Sequence, residues 1–335
     1  MTSTAHAADT AHAVVTGAAS GIGRAVAEHF ARAGARLTLV DVDGDRLAAV
    51  ADTLGARHLV LDLSCADGPA AAVADSWRAH GPVDVLVNAA GIYPSLDMAD
   101  VTAAAWDRVL ALNTRAPVLA TAALARLATA AGRPASVVNI SSGAALRARP
   151  GGGPYAASKA ALEMATRAAA LEFGPLGIRV NAVSPGFVAV DSDCNPVSDT
   201  YAAAVSVNPL GRPGTPADIA RAVLWIAGPE ASWVTGEVLR VDGGSGTGAA
   251  HLPRLWPPDT SAAGTSGADG DADSTTRLNS SVAHTRANVA ENGTGGADTR
   301  GTAAADTGTA AGAAAHGPSP HTPGTHPDRT KGHTS

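Results

Sequence analysis

Seven short β-branched or aliphatic runs mark out the first 244 residues: AVVTG at 13–17, RLTLVD at 36–41, RHLVLD at 57–62, VDVLVNA at 83–89, SVVNIS at 136–141, IRVNAVS at 178–184 and EVLRVDGG at 237–244. Ala-rich segments with helical spacing fill the intervals. The runs are almost continuously apolar instead of alternating, which is the pattern of strands covered on both faces, and strands alternating with helices read as a parallel sheet. Because crossovers between parallel strands are right-handed, the chain is expected to form an α/β, doubly wound Rossmann fold with a seven-stranded parallel sheet and helices on both faces. Such a sheet takes its ligand beyond the carboxyl ends of its strands, so functional residues should follow strands.

Composition changes abruptly after VLRVDGGSG at 238–246. Beyond Trp256 the chain is Gly, Thr, Ala, Asp, Ser, Pro and His, with scattered apolar residues such as Leu278 and Val282. That is too little apolar surface to offset the entropy of ordering the segment. The expected organisation is a flexible N-terminus over 1–10, one domain over 11–256 and a disordered tail over 257–335. A net charge of −6 without a Lys/Arg cluster argues against nucleic acid. No basic amphipathic helix, span-length apolar run or basic leader is present, so a cytoplasmic protein without a membrane partner is expected. Cys65 and Cys194 are far apart and the folded part has no H-x-x-x-H pair, so no metal site is expected. The interval 186–214 is rich in Pro, Asp, Asn and Ser and reads as a loop with a short helix, of the kind that forms a lid over substrate.

The first run leads into TGAASGIG, with Gly17, Gly21 and Gly23 around Ser20 and Ile22, and then into a helical pattern. Glycines there permit a tight turn, close approach to a pyrophosphate and close helix packing, with the helix N-terminus facing phosphate. The spacing alone also suits a structural turn. Asp41 ends the second run and can accept hydrogen bonds from both ribose hydroxyls of an adenosine; its carboxylate would repel a 2′-phosphate, and neither Ser20 nor Val42 is basic. NAD is therefore expected over NADP. A helix-capping role for Asp41 is filled more naturally by Asp43. Asp62, with its neighbour Leu63, is placed to meet adenine, or is an ordinary loop acid. The NAAG stretch, Asn88, Ala89 and Gly91 included, sets small residues where backbone lies against a cofactor.

Tyr155 and Lys159 share one face of the helix that follows PGGGP. Together with TGAASGIG, NAAG, Asn113 in LALNTRAP, Ser141–Ser142 before YAASK, SPG at 184–186 and the closing VDGG, they make the chain resemble a short-chain dehydrogenase/reductase of the compact NAD(P)-dependent type over residues 13–246. The resemblance implies a catalytic set of Asn113, Ser142, Tyr155 and Lys159. The resemblance also implies Ser142 over Ser141, because it stands thirteen residues before Tyr155, the interval usual in the family. In that set Ser142 would donate to the substrate oxygen and Tyr155 would move the proton. The Lys159 ammonium and a cationic nicotinamide would favour phenolate, Lys159 would also bind the nicotinamide ribose, and Asn113 would hold a water beside it. Pro185, Gly186 and Val188 would receive the nicotinamide carboxamide. The sequence departs from the family where a threonine is usual: Val190 stands there, with Ser192 as a substitute.

The expected substrate wall comprises Tyr93, Pro94 and Ser95, Arg147 and Arg149, and Asp191, Ser192, Asp193, Asn195 and Tyr201. This polar set suits a secondary alcohol or ketone on a hydroxylated or heterocyclic small molecule, in specialised-metabolite or sugar/polyol chemistry. The two arginines read either as anion-recognising or as solvated. Alternatives are an NADPH-dependent 3-oxoacyl thioester reductase and a non-catalytic nucleotide-sensing module. The resemblance also implies a homotetramer or homodimer, and HLPRLWPP at 251–258, with Leu252, Leu255 and Trp256, either reaches a neighbouring subunit or docks on its own.

Overall fold

A computed structural model describes residues 11–190, 199–248 and 252. The expectations for 1–10 and 257–335, for the wall residues Asp191, Ser192, Asp193 and Asn195, and for Leu255 and Trp256 lie outside the described residues, as does the Tyr201 side chain. Seven parallel strands form one sheet in the order β3-β2-β1-β4-β5-β6-β7. They are β1 (His12–Thr16), β2 (Arg36–Asp41), β3 (Arg57–Val60), β4 (Val85–Asn88), β5 (Ala135–Ile140), β6 (Ile178–Pro185) and β7 (Val238–Val241). The order reverses between β1 and β4, whose register pairs Thr16 with Asn88. That reversal opens a crevice at the strands' carboxyl ends.

The helices are α1 (Gly21–Arg32), α2 (Gly44–Leu54), α3 (Gly68–His80), α4 (Ala103–Leu110), α5 (Ala116–Ala130), α6 (Gly153–Phe173), α7 (Asp199–Val205) and α8 (Pro216–Ala227). Side chains alternate across β1 and divide the core into two layers. Val15 joins Leu39, Val87, Phe30, Ile219 and Val223 on the α1/α8 face. Val14 joins Leu86, Val137, Val73 and Leu124 on the α3/α5 face. Both layers being apolar, central strands show no polar alternation, which is why the runs were legible as parallel. Edge strands are shorter than their apolar runs. β3 stops at Val60, two residues before the run ends, and is mostly exposed; β7 stops at Val241, where the following Gly243 and Gly244 take positive φ.

Asp43 caps α2 by accepting from Arg46 N at 3.1 Å, the role the sequence assigns it instead of Asp41. Within 186–214 the short helix is α7, and Thr215 and Asp218 form a reciprocal capping box that starts α8. No helix among the described residues is long and apolar enough to cross a membrane.

At the opposite end of the sheet from the crevice, His12 is fully buried. One ring nitrogen lies 3.0 Å from Thr38 Oγ1 and the other 3.3 Å from Gly81 O. Its ring sits 5.4 Å from that of His80, and burial pushes both imidazoles below the ordinary histidine value, with Arg36 opposing protonation of each. The folded state thus binds protons less readily than the unfolded chain, so stability falls as pH drops below about 6.5. A melting temperature that declines from pH 7 to pH 5, with a shallower decline in His80→Asn, is the expected outcome of thermal denaturation.

Candidate active site

The crevice is built on close backbone approach. Gly17 has φ of +67°, and a Cβ there would stand 2.7 Å from Ala90 N. Gly21 also takes positive φ, at +54°, while a Cβ on Gly23 would collide with the Gly17 carbonyl. Ile22 turns its side chain onto the core and leaves its backbone at the helix start, with Ser20 exposed beside it. Thr16, which the sequence reading passed over, locks the arrangement. Its Oγ1 accepts from Ala89 N at 3.0 Å and Ala90 N at 3.2 Å. A hydroxyl residue directly before the first glycine was the available signal.

Asp41 reaches back to this turn. Oδ2 accepts from Ala19 N at 3.0 Å, while Oδ1 accepts from Val42 N at 2.7 Å and Asp43 N at 3.1 Å. A carboxylate offers about four acceptor positions, so three are taken by the chain itself and one remains on Oδ2. Asp62 is exposed and accepts from Ser64 N and Ser64 Oγ, and these bonds hold its carboxyl below the usual range; Leu63 beside it is buried in the core. The Asn88 side chain faces inward and donates to Asn139 Oδ1 at 2.9 Å, so only its backbone faces the crevice with Ala89 and Gly91. Two arginines also missed in the linear reading, Arg24 and Arg46, line a cleft of about 450 Å³ with Ser20, Gly21, Val190 and Pro216. They pair with Glu28 and Asp43. Only the fold brings α1 and α2 together there.

On the far side of the crevice, a Cβ on Gly186 would stand 2.8 Å from Asp242 Cα, which presses the Pro185–Gly186 turn against the end of β7. Val188 bridges to Gly214 in extended backbone, and Val190 lies against Gly21.

The four residues singled out for proton chemistry converge at the carboxyl end of β5. Ser142 follows the strand in extended conformation, its Oγ accepting from Ala144 N at 3.2 Å and lying close enough to Tyr155 to lower its phenol, whereas Ser141 turns away into the interior. Lys159 is buried one turn after Tyr155, donates to Ile140 O at 2.8 Å and lies 5.8 Å from the Tyr155 ring centroid. Asn113 sits in a π-helical turn, Ala111–Arg115, that joins α4 to α5. Its amide accepts from Ile92 N at 2.9 Å and donates to Ile92 O at 2.7 Å and Ser158 Oγ at 3.1 Å. Asn113 thus sits in an irregular helical turn, and its side chain clamps the Gly91–Ile92 loop beside Lys159.

The electrostatics differ from expectation. Burial raises the Tyr155 phenol above its ordinary value, opposed by the Ser142 hydrogen bond, and Lys159 is not among the groups that lower it. Burial also lowers the Lys159 ammonium to about 8. Without a nicotinamide the pair therefore rests as a neutral phenol and a weakened ammonium, because desolvation outweighs their mutual attraction. Tyr93 tilts over Tyr155 with ring centroids 6.1 Å apart. Arg147 donates to Ser245 O at 2.7 Å, tying the loop before α6 to the segment after β7, while Arg149 lies close enough to Tyr155 to favour its ionisation. Leu252 is exposed.

The family profile described as enoyl-(acyl carrier protein) reductase matches residues 17–246. The chain belongs to the short-chain dehydrogenase/reductase family. It is 39% identical over 243 residues to galactitol 2-dehydrogenase (L-tagatose-forming) of Cereibacter sphaeroides, covering 70% of this chain and 95% of that one. It is 34% identical over 238 residues to a 3-oxoacyl-[acyl-carrier-protein] reductase of Chlamydia trachomatis, covering 69% and 96%. Among solved structures, a blue fluorescent protein from a metagenomic library in complex with NADPH matches with a TM-score of 0.64 and 36% identity, over 70% of this chain and 97% of that one. A short-chain dehydrogenase/reductase uses a nicotinamide dinucleotide, and the glycine turn, Asp41 and the small residues of NAAG fit one.

Because folded Lys159 holds its proton less tightly than the unfolded chain does, its burial costs stability below about 8 and is relieved as pH rises toward 10.5. Chemical denaturation of the ligand-free protein is expected to show stability gained across that window, and Lys159→Met is expected to lose this gain.

Proposed function

We propose that this short-chain dehydrogenase/reductase is an NAD(H)-dependent enzyme that interconverts a secondary alcohol and a ketone on a polar, hydroxylated small molecule. The observation that carries the reading is the convergence of Ser142, Tyr155 and Lys159 at the end of β5, beside the glycine turn. A bound nicotinamide supplies the hydride acceptor or donor. The chain's own residues do the rest. Ser142 donates to the substrate oxygen and steadies the charge that develops there. The Tyr155 hydroxyl gives its proton to that oxygen during ketone reduction and takes it back, as phenolate, during alcohol oxidation. Lys159 keeps a positive charge below the phenol, and Asn113 holds the Gly91–Ile92 backbone that closes the floor. The neutral resting phenol favours reduction near neutral pH, and oxidation gains as pH rises.

NAD preference rests on the Asp41 carboxylate, whose remaining Oδ2 position suits one ribose hydroxyl; engaging both would require release of a backbone bond. The polyol relative and the polar wall residues favour a sugar or polyol over an acyl thioester. A second reading, an NADPH-dependent 3-oxoacyl thioester reductase, draws on Arg24 and Arg46 beside Ser20 and on the acyl-carrier-protein reductase relative. A nucleotide-sensing module has no use for the intact proton-transfer set. We also propose a cytoplasmic homotetramer, since Met164 and Leu171 on α6 and Trp225 and Trp233 near β7 expose two apolar patches suited to subunit contacts.

In nicotinamide absorbance assays over a panel of polyols and ketones, Tyr155→Phe is expected to lose at least about a thousandfold in kcat while binding NADH as tightly as the parent; retained turnover removes Tyr155 from its role. Asp41→Ala is expected to weaken NADH and strengthen NADPH in fluorescence titrations. An unchanged ratio, or turnover confined to acyl thioesters with NADPH, favours the second reading.

A further inference from the structure

Beneath the site, three consecutive residues of the β5 end are each bonded to the buried face of α6. Asn139 Nδ2 donates to Thr166 Oγ1 at 2.9 Å, Ile140 O accepts from Lys159 Nζ at 2.8 Å, and Ser141 Oγ donates to Glu163 Oε1 at 2.7 Å. Glu163 is 5% exposed and Ser141 is 3% exposed. The other carboxylate oxygen lies 4.0 Å from Arg167 Nη2, whose side chain is 48% exposed. A carboxylate buried in such a place is costly; its neighbours one turn away on the helix face are the buried Lys159 and Thr166, with Leu162 and Ala170 buried nearby. What the cost secures is the bond to Ser141.

Strand geometry sends neighbouring side chains to opposite sides. Ser141 points down to Glu163 and, through its N–H, is tied to Val183 O on β6 at 2.8 Å. Ser142 points up to Tyr155. The two serines therefore face different residues of one helix: Ser141 is bonded to Glu163, two turns along from the Tyr155 that Ser142 approaches. A shift of the β5 end along α6 would break the Ser141–Glu163 bond and move Ser142 relative to Tyr155 together. We propose that Glu163 is a positioning residue, acting through Ser141 to hold the β5 end against α6 and so to set where Ser142 stands relative to the Tyr155 hydroxyl. This rests on the reading of Ser142 and Tyr155 as reacting partners. It adds a residue that touches neither substrate nor cofactor.

Tyr155 is one of three tyrosines in the chain, so its ionisation is read as the ultraviolet difference titration between the parent and Tyr155→Phe. The measurement needs no substrate. Ser142 bonding lowers this phenol, so loosening Ser142 raises it. Glu163→Ala and Ser141→Ala are expected to move the Tyr155 midpoint upward by about one pH unit, and the double variant by no more than either alone. Glu163→Gln keeps an acceptor for Ser141 and is expected to restore the parent midpoint. With the best substrate found for the parent, kcat is expected to fall about tenfold to a hundredfold in the two alanine variants, with NADH affinity unchanged. If Glu163→Ala does not fold, Ser141→Ala breaks the same bond and carries the test. An unchanged midpoint in Ser141→Ala, or a Glu163→Gln midpoint displaced as far as that of Glu163→Ala, overturns the proposal. Retained turnover in Tyr155→Phe overturns instead the reading beneath it, so the two failures are told apart.

Discussion

Everything at the crevice depends on two backbones passing in contact at the carboxyl ends of β1 and β4. Gly17 lies so near Ala90 that a Cβ has no room, and Thr16 holds Ala89 and Ala90 in place through one hydroxyl. Were these strands farther apart, the glycine turn and the NAAG stretch would belong to separate loops. Their contact makes one surface of small residues at the point where strand order reverses. From there Asp41 folds back to Ala19 N, so the adenosine end of the crevice is tied to the same turn. β1 and β4 are flanked by apolar layers on both faces, and the polar side chains at their ends, Thr16 and Asn88, bond within the interior.

The second organising constraint is the bonding of β5 to α6. Burying a lysine, a glutamate and a threonine on one helix face is unfavourable unless each finds a partner, and the β5 end supplies a carbonyl, a hydroxyl and an amide. Asn139 extends this network to Asn88, so β4, β5 and α6 share one chain of hydrogen bonds. The consequence reaches the chemistry. Lys159 is desolvated enough that its ammonium is weakened, and burial likewise raises the Tyr155 phenol.

Much of this was legible from the chain alone. Buried parallel strands must be apolar on both faces, so all seven appear as runs, although central β4 as well as edge strands β3 and β7 are shorter than the runs that mark them. Glycine is required wherever backbone contact leaves no room for a Cβ, which made Gly17 and Gly23 readable before any coordinates. The Tyr155 and Lys159 pair was visible as spacing, because a helix turns a four-residue interval into adjacency, while Ser142 came from the family resemblance. Arg24, Arg46 and Glu163 were not visible, since nothing in their own sequence neighbourhoods distinguishes a partnered side chain from a solvated one.

The sequence by itself determined the strand count, the parallel architecture and the glycine turn, because these follow from periodicity and from the steric demands of glycine. Tertiary structure decided what long-range contact alone can decide. It turned Asn88 inward to Asn139, bound Arg147 to Ser245, set Asn113 on Ile92, and brought Asp41 to Ala19 N. It also decided the protonation balance of Tyr155 and Lys159, since desolvation depends on how much packed protein surrounds a group, and that is a property of the assembled layers instead of the local sequence.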